Sequence, residues 1–202
     1  MNILYVNPYD SYGGAETIMR YLAEGGQARG ENVQLLVNTQ FEKNYSYPVS
    51  TFNHDAARTS WAKLWRSFGK QLMEGPGVER KWVRGVSRVL SGPIAEPIRN
   101  SRIRSGLEDF EYPDTENAIR NIQPEPDLIH IHCFHSKYFD LRTLTSLSKW
   151  KPVVVTLHDA WMFTGHCSYP GECCRFEIGC GQCPDLKKFP SVPRDRTREN
   201  FN

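Results

Sequence analysis

Short apolar, β-branched runs alternate along this chain with stretches whose apolar positions recur every three to four residues, the pattern of strands interleaved with helices. Residues 3–6 and 33–37 read as strands buried on both faces. Between them a helix is predicted from about Ala15 to Ala28, with Ile18, Met19, Tyr21 and Leu22 at helical spacing. Gly25 and Gly26 weaken its last turn by about 1 kcal/mol each relative to alanine, and Gly30 stops it. The same order resumes after Pro113. A short helix over 115–121 ends before the breakers Pro124 and Pro126, and residues 127–133 (DLIHIHC) form a strand. Leu141, Leu144 and Leu147 mark another helix, and 152–157 is a continuous apolar run that reads as a strand covered on both faces. This alternation predicts an α/β fold, a Rossmann-like parallel sheet flanked by helices.

The pattern breaks from about residue 42 to 112, an expected helical insertion in what otherwise reads as one domain over 1–202. Residues 58–104 hold eleven lysines and arginines against three glutamates, a local charge of +8 in a chain of net charge +2, so the rest carries −6. Trp61, Leu64, Trp65, Phe68 and Leu72 fall on one face of a helix, with Lys63, Arg66 and Lys70 off it. Trp82, Val86, Val89 and Leu90 mark a second helix. Two readings fit the first helix. It either lays Trp61, Trp65 and Phe68 into a membrane surface with Lys63, Arg66 and Lys70 toward anionic headgroups, or packs on the domain with a solvated basic face. Two tryptophans coinciding with the charge imbalance favour the membrane surface. No run nears the roughly 18 apolar residues of a spanning helix, and MNILYVNPYD lacks a signal-peptide pattern. A cytoplasmic protein, peripheral on the cytoplasmic face of the inner membrane, is therefore expected. A nucleic-acid partner is not expected, because neither a basic-aromatic strand pattern nor a finger with its recognition helix is present.

Candidate chemistry gathers at strand ends. His158 and Asp159 follow the last predicted strand, at the carboxyl edge where open α/β sheets bind ligands; the alternative is a histidine that only caps the strand. Gly13 and Gly14 open the first helix, where free N–H groups and the positive helix end favour a phosphate or carboxylate; the alternative is a tight turn needing positive φ. His130 and His132 share one face of their strand. His130 suits a satisfied polar group at the sheet edge, His132 lies nearer the site, and a metal pair would lack a third ligand. Five of the six cysteines form C-x5-C-C-x5-C-x2-C within a Cys-rich segment, 166–184. The Cys180-Gly-Gln-Cys183 knuckle can turn two thiolates onto one ion. Cys167 with Cys173 completes a tetrahedral structural zinc set, Cys174 or His166 being alternatives. Packing thiols and disulfides are the competing readings.

Seven segments together carry a resemblance: Asn2-Ile-Leu-Tyr-Val6 with Gly13-Gly-Ala-Glu16, Asp127-Leu-Ile-His-Ile-His132, Tyr138-Phe-Asp-Leu-Arg142, Val155-Thr-Leu-His-Asp-Ala-Trp161, Thr164-Gly-His-Cys167 and Gly179-Cys-Gly-Gln-Cys-Pro184. They resemble the N-terminal half of the family 4 glycosyltransferases of GT-B fold, and within it bacterial enzymes of cell-wall, capsule and colanic-acid-type polysaccharide assembly. The resemblance implies a retaining transferase that moves a sugar from a nucleotide-diphosphate-sugar to a glycan or lipid-linked acceptor, with no catalytic metal. It implies His158 as the catalytic group against the transferring sugar, and Gly13, Gly14, Glu16, His132 and Asp159 on the donor side. Nothing after Phe189 matches the family's C-terminal donor domain with its E-x7-E element, so a fragment inactive by itself is expected. The competing class is a non-catalytic, metal-stabilised module that binds an anionic lipid or glycan precursor beside a separate donor-domain partner.

Overall fold

The computed structural model describes residues 1–75 and 79–201; residues 76–78, inside the expected insertion, and 202 lie outside the described residues. In chain order the elements are β1 (Asn2–Tyr9), α1 (Gly14–Ala28), β2 (Asn32–Thr39), β3 (Val49–Thr51), α2 (Ser60–Glu74) and α3 (Lys81–Val89). A π-helical turn at Leu90–Ile94 leads to α4 (Pro97–Arg104), α5 (Thr115–Arg120), β4 (Leu128–Ile131), α6 (Leu144–Trp150), β5 (Val153–Val155) and α7 (Thr197–Phe201). They divide into two compact units: Met1–His54 with Phe110–Met162, and Asp55–Asp109 with Phe163–Asn202. β3 thus belongs with the sheet although it lies inside the span expected to be inserted.

The first unit is the predicted α/β layer structure. Its strands pair only in parallel, in the order β3-β2-β1-β4-β5, with Ile3 opposite both Val33 and Leu128. Because side chains alternate across a strand, Leu4 and Val6 share one face with Leu36, Ile129 and Ile131, under Ile119 of α5 and Leu147 of α6. Ile3, Tyr5, Val33 and Leu35 take the other face, under Met19 and Ala23 of α1. Each such fully buried aliphatic side chain contributes about 1.5–3 kcal/mol. Buried Gln34 is tolerated because its Nε2 donates to the Pro124 carbonyl at 2.8 Å.

One strand differs from expectation. The 152–157 run is not covered on both faces: β5 is the edge of the sheet, with Val154 43% and Val155 36% exposed. A β-branched run reports strand propensity, not a strand's place in the sheet order, which here leaves β5 with one neighbour.

The order also fixes where a ligand can sit. From β1 the chain runs outward through β2 and β3, whereas β4 and β5 lie on the other side. The loops beyond β1 and β4 therefore diverge, and a crevice at this reversal point is where open α/β sheets hold ligands.

The second unit is helices and loops. α2 is capped by the Thr59 hydroxyl, which accepts the Ala62 N–H at 3.2 Å. It buries its small face, Ala62 and Gly69, while Trp61, Leu64 and Phe68 are exposed. A Cβ on Gly69 would stand 2.1 Å from Ser91 Oγ, and Ser87 Oγ donates to the Gly69 carbonyl at 2.7 Å. Glu96 gathers Arg58, Arg66 and Arg99, and Arg99 also forks onto Asp109 at 2.8 and 2.6 Å.

Candidate functional site

The loop after β1 builds one wall of the crevice. Gly13 caps α1 with φ −142°, an extended value open to any residue, and the positive φ in this loop belongs to Tyr12 at 77°. The tight-turn alternative for the glycine pair therefore does not hold. Glycine at 13 has a different cause: a Cβ there would stand 2.0 Å from Glu16 Oε2, the carboxylate that folds back over the helix end. At Gly14 a Cβ would meet nothing within 4 Å, so packing does not demand glycine. Asn7, which the sequence did not single out, ties these parts together. Its Nδ2 donates to the Tyr9 carbonyl at 2.7 Å and to Glu16 Oε1 at 3.2 Å, while its Oδ1 accepts the Cys133 N–H at 3.3 Å.

The loop after β5 supplies the other wall through His158, backed by residues that follow β4. His130, His132 and His158 form a ladder, with ring centroids 4.5 and 5.1 Å apart. His130 Nε2 and Thr156 Oγ1 share a hydrogen bond of 2.7 Å, the satisfied edge role expected of it. His132 Nδ1 and His158 Nε2 share one of 2.8 Å. Burial, helped by the neighbouring imidazoles of His130 and His158, pushes His132 down to about 3. His132 is thus a neutral, buried anchor for the exposed ring of His158. That ring faces an open cleft of about 780 Å³ lined also by Tyr12, Gly13, Gly14, Thr17 and Ile18.

Asp159 is not among the residues lining the cleft. Its Oδ1 accepts the Trp161 N–H at 2.9 Å, and its Oδ2 lies 2.7 Å from His135 Nε2. Cys133 Sγ is 3.2 Å from the same nitrogen. Burial alone would lower the His135 imidazole, but hydrogen bonding to Asp159 and Cys133 outweighs it and raises the group to about 10. Among the described residues, Cys133, His135 and Asp159 are the group whose ligand atoms all lie within 4.8 Å of one another, a possible metal-binding cluster. The available signal for it was topological: neighbouring parallel strands end side by side, so the residues after β4 and β5 had to meet.

The predicted zinc residues lie in the second unit. Burial raises the Cys180 and Cys183 thiols, and the fields of Cys167, Cys173 and Asp195 act in the same direction on both. Cys167 and Cys173 thus lie near enough to act on both, but the four cysteines are not among the groups whose ligand atoms all lie within 4.8 Å of one another. The knuckle is left-handed through Gly179, Cys180, Gly181 and Gln182, with φ between 49 and 90°. Left-handed Cys180 and Gln182 cost about 1–2 kcal/mol each. The Thr197 hydroxyl accepts the Gly181 N–H at 3.0 Å, and Asp195 accepts that of Cys183 at 2.8 Å. His166 is buried, donates from Nδ1 to the Pro190 carbonyl at 2.9 Å and presents Nε2 to Cys183 Sγ at 3.3 Å. That tautomer is the one a metal-ligating histidine adopts. Cys174 is exposed and points toward the Glu172 carbonyl.

Of the predicted surface residues, Lys63 and Lys70 are exposed, Trp61 and Trp65 contact edge to face, and Arg66 is drawn into ion pairs with Asp55 and Glu96. No helix among the described residues is long and apolar enough to cross a membrane.

A five-stranded parallel sheet flanked by helices, with a cleft at the reversal of strand order, defines a Rossmann-like α/β fold. Over 81 residues the chain is 33% identical to WcaC of Escherichia coli K12, a colanic acid biosynthesis glycosyl transferase by its name. That match covers 37% of this chain and 20% of the other protein. No family model matches the chain, and no solved structure matches it.

Proposed function

We propose that this chain is the acceptor-side part of a retaining glycosyltransferase that moves a sugar from a nucleotide-diphosphate-sugar to a glycan or lipid-linked acceptor of bacterial polysaccharide assembly. The supporting observation is the cleft where the exposed His158 ring and Gly14 both face open space. The imidazole of His158, held by neutral His132, is a hydrogen-bonding group fixed in place before reaction, which stabilises charge as the diphosphate leaves. Glu16 keeps a carboxylate beside the helix end and so favours sugar hydroxyls there over a second anion. Most donor contacts would come from a further domain.

In the same proposal Cys167, Cys173, Cys180 and Cys183, with His166 as the alternative ligand, hold a structural zinc. A metal bound there would give the left-handed backbone of Cys180 and Gln182 a reason to persist. The exposed aromatic face of α2, with Lys63 and Lys70, rests on an anionic membrane surface where a lipid-linked acceptor resides.

His158→Ala tests the site. In the protein that carries this chain, transfer of labelled sugar to a membrane extract should fall roughly 100-fold in kcat while the thermal unfolding transition stays in place. Normal turnover, or a loss that tracks unfolding, would make His158 a strand cap.

A further inference from the structure

We propose that Cys133, His135 and Asp159 bind a divalent ion of the zinc class, with three protein ligands and one open position. The donor set selects the ion. A thiolate with an imidazole suits zinc or its spectroscopic substitute cobalt, whereas magnesium and calcium take oxygen ligands.

Geometry separates this cluster from a nucleophilic relay. In a relay the base takes the nucleophile's proton on one ring nitrogen and the carboxylate holds the other. Here Cys133 Sγ and Asp159 Oδ2 lean on the same atom, His135 Nε2, at 3.2 and 2.7 Å. All three ligand atoms lie within 4.8 Å of one another, close enough for one ion to reach them together. Bonds of 2.0–2.3 Å set tetrahedral ligands about 3.3–3.7 Å apart, so the cluster opens by a few tenths of an ångström as an ion takes the place of the shared protons.

The supporting shell is already built. The Trp161 N–H on Asp159 Oδ1 aims Oδ2 at His135. Cys133 is held through its backbone on both sides, its N–H on Asn7 and its carbonyl accepting from the Tyr138 hydroxyl. Outer contacts of this kind orient metal ligands. The His135 and Asp159 side chains are 12% and 24% exposed, which leaves a path for an ion and room for a fourth ligand.

The site is tested without reading activity. The unmutated chain, stripped by dialysis against a chelator under reducing conditions, is alkylated with iodoacetamide with and without zinc, each cysteine followed separately by peptide mass spectrometry. Zinc at ten times its dissociation constant should slow alkylation of Cys133 about tenfold, independent of cysteines 167–183. Equal rates at Cys133 overturn the assignment. In parallel, His135→Asn and Asp159→Asn should each bind one zinc fewer per chain by elemental analysis after equilibrium dialysis. Full stoichiometry in both, with circular dichroism unchanged, overturns it equally; if a variant fails to fold, the alkylation of the unmutated chain decides.

Discussion

Leu4, Val6, Ile129 and Ile131 are fully buried in the sheet unit, among more than a score of buried apolar side chains. In the second unit the buried apolar side chains, among the described residues, are Ala62, Val83 and Ala95. Since hydrophobic stabilisation scales with apolar area at about 25 cal/mol per Å², the sheet unit has a core of its own and the second unit has little. In its place stand a nearly buried guanidinium, Arg58, the Glu96 carboxylate that gathers three arginines, and a cysteine turn. Buried ion pairs are weak evidence of net stability, because desolvation offsets most of their attraction. Small scaffolds with thin cores are commonly held by a metal or a disulfide. The contrast thus favours an ion at the cysteine turn on grounds separate from the cysteine spacing.

Zinc removal should separate the two units most sharply. Hydrogen exchange read by mass spectrometry should lose roughly 100-fold or more of its protection over 79–109 and 163–201 after Cys183→Ser, with β1 and β4 still protected. Equal loss in both units would mean that the sheet depends on the same staple. A smaller effect is expected of Glu96→Gln, which leaves Arg58 and Arg99 facing each other without their shared carboxylate. It should cost about 3 kcal/mol in urea unfolding monitored within 55–75, and no cost would show that the arginines find water instead. Smallest of all, Gly14→Ala should raise stability by about 0.5 kcal/mol, since the Cβ meets open space in a helix. The same change should weaken donor binding, read as a higher KM. A fall in stability would point to a packing role that the geometry does not contain.

α1 was legible as a helix but not by its packing face, since Ile18, Tyr21 and Leu22 are exposed and Met19, Ala23 and Gly26 are buried instead. The central strands were legible because strands buried on both faces are apolar throughout. β5 was misread for the same reason: Val153–Val155 carries the composition of a core strand at an edge. In α2 the aromatic stripe was plain, but the face that packs is Ala62 and Gly69, since close helix contact selects small residues that carry no hydrophobic signal. At the site, His158 and the glycine pair were visible from strand ends. Cys133, His135 and Asn7 were not, because each acquires its role only when parallel strands bring together residues up to 126 positions apart. Gly13 had the correct residue type for a cause no pattern reveals, the Glu16 carboxylate lying across it.

The Asn7 amide touches the helix end through Glu16 and the β4 loop through Cys133. Its two grips cannot be adjusted separately, since one planar group of fixed length makes both. If an ion at Cys133 shifts that plane, it alters the helix end where a sugar would rest, and thermodynamic reciprocity then requires the sugar to alter ion affinity by the same factor. Replacing Asn7 would uncouple the two occupancies before it abolished either one.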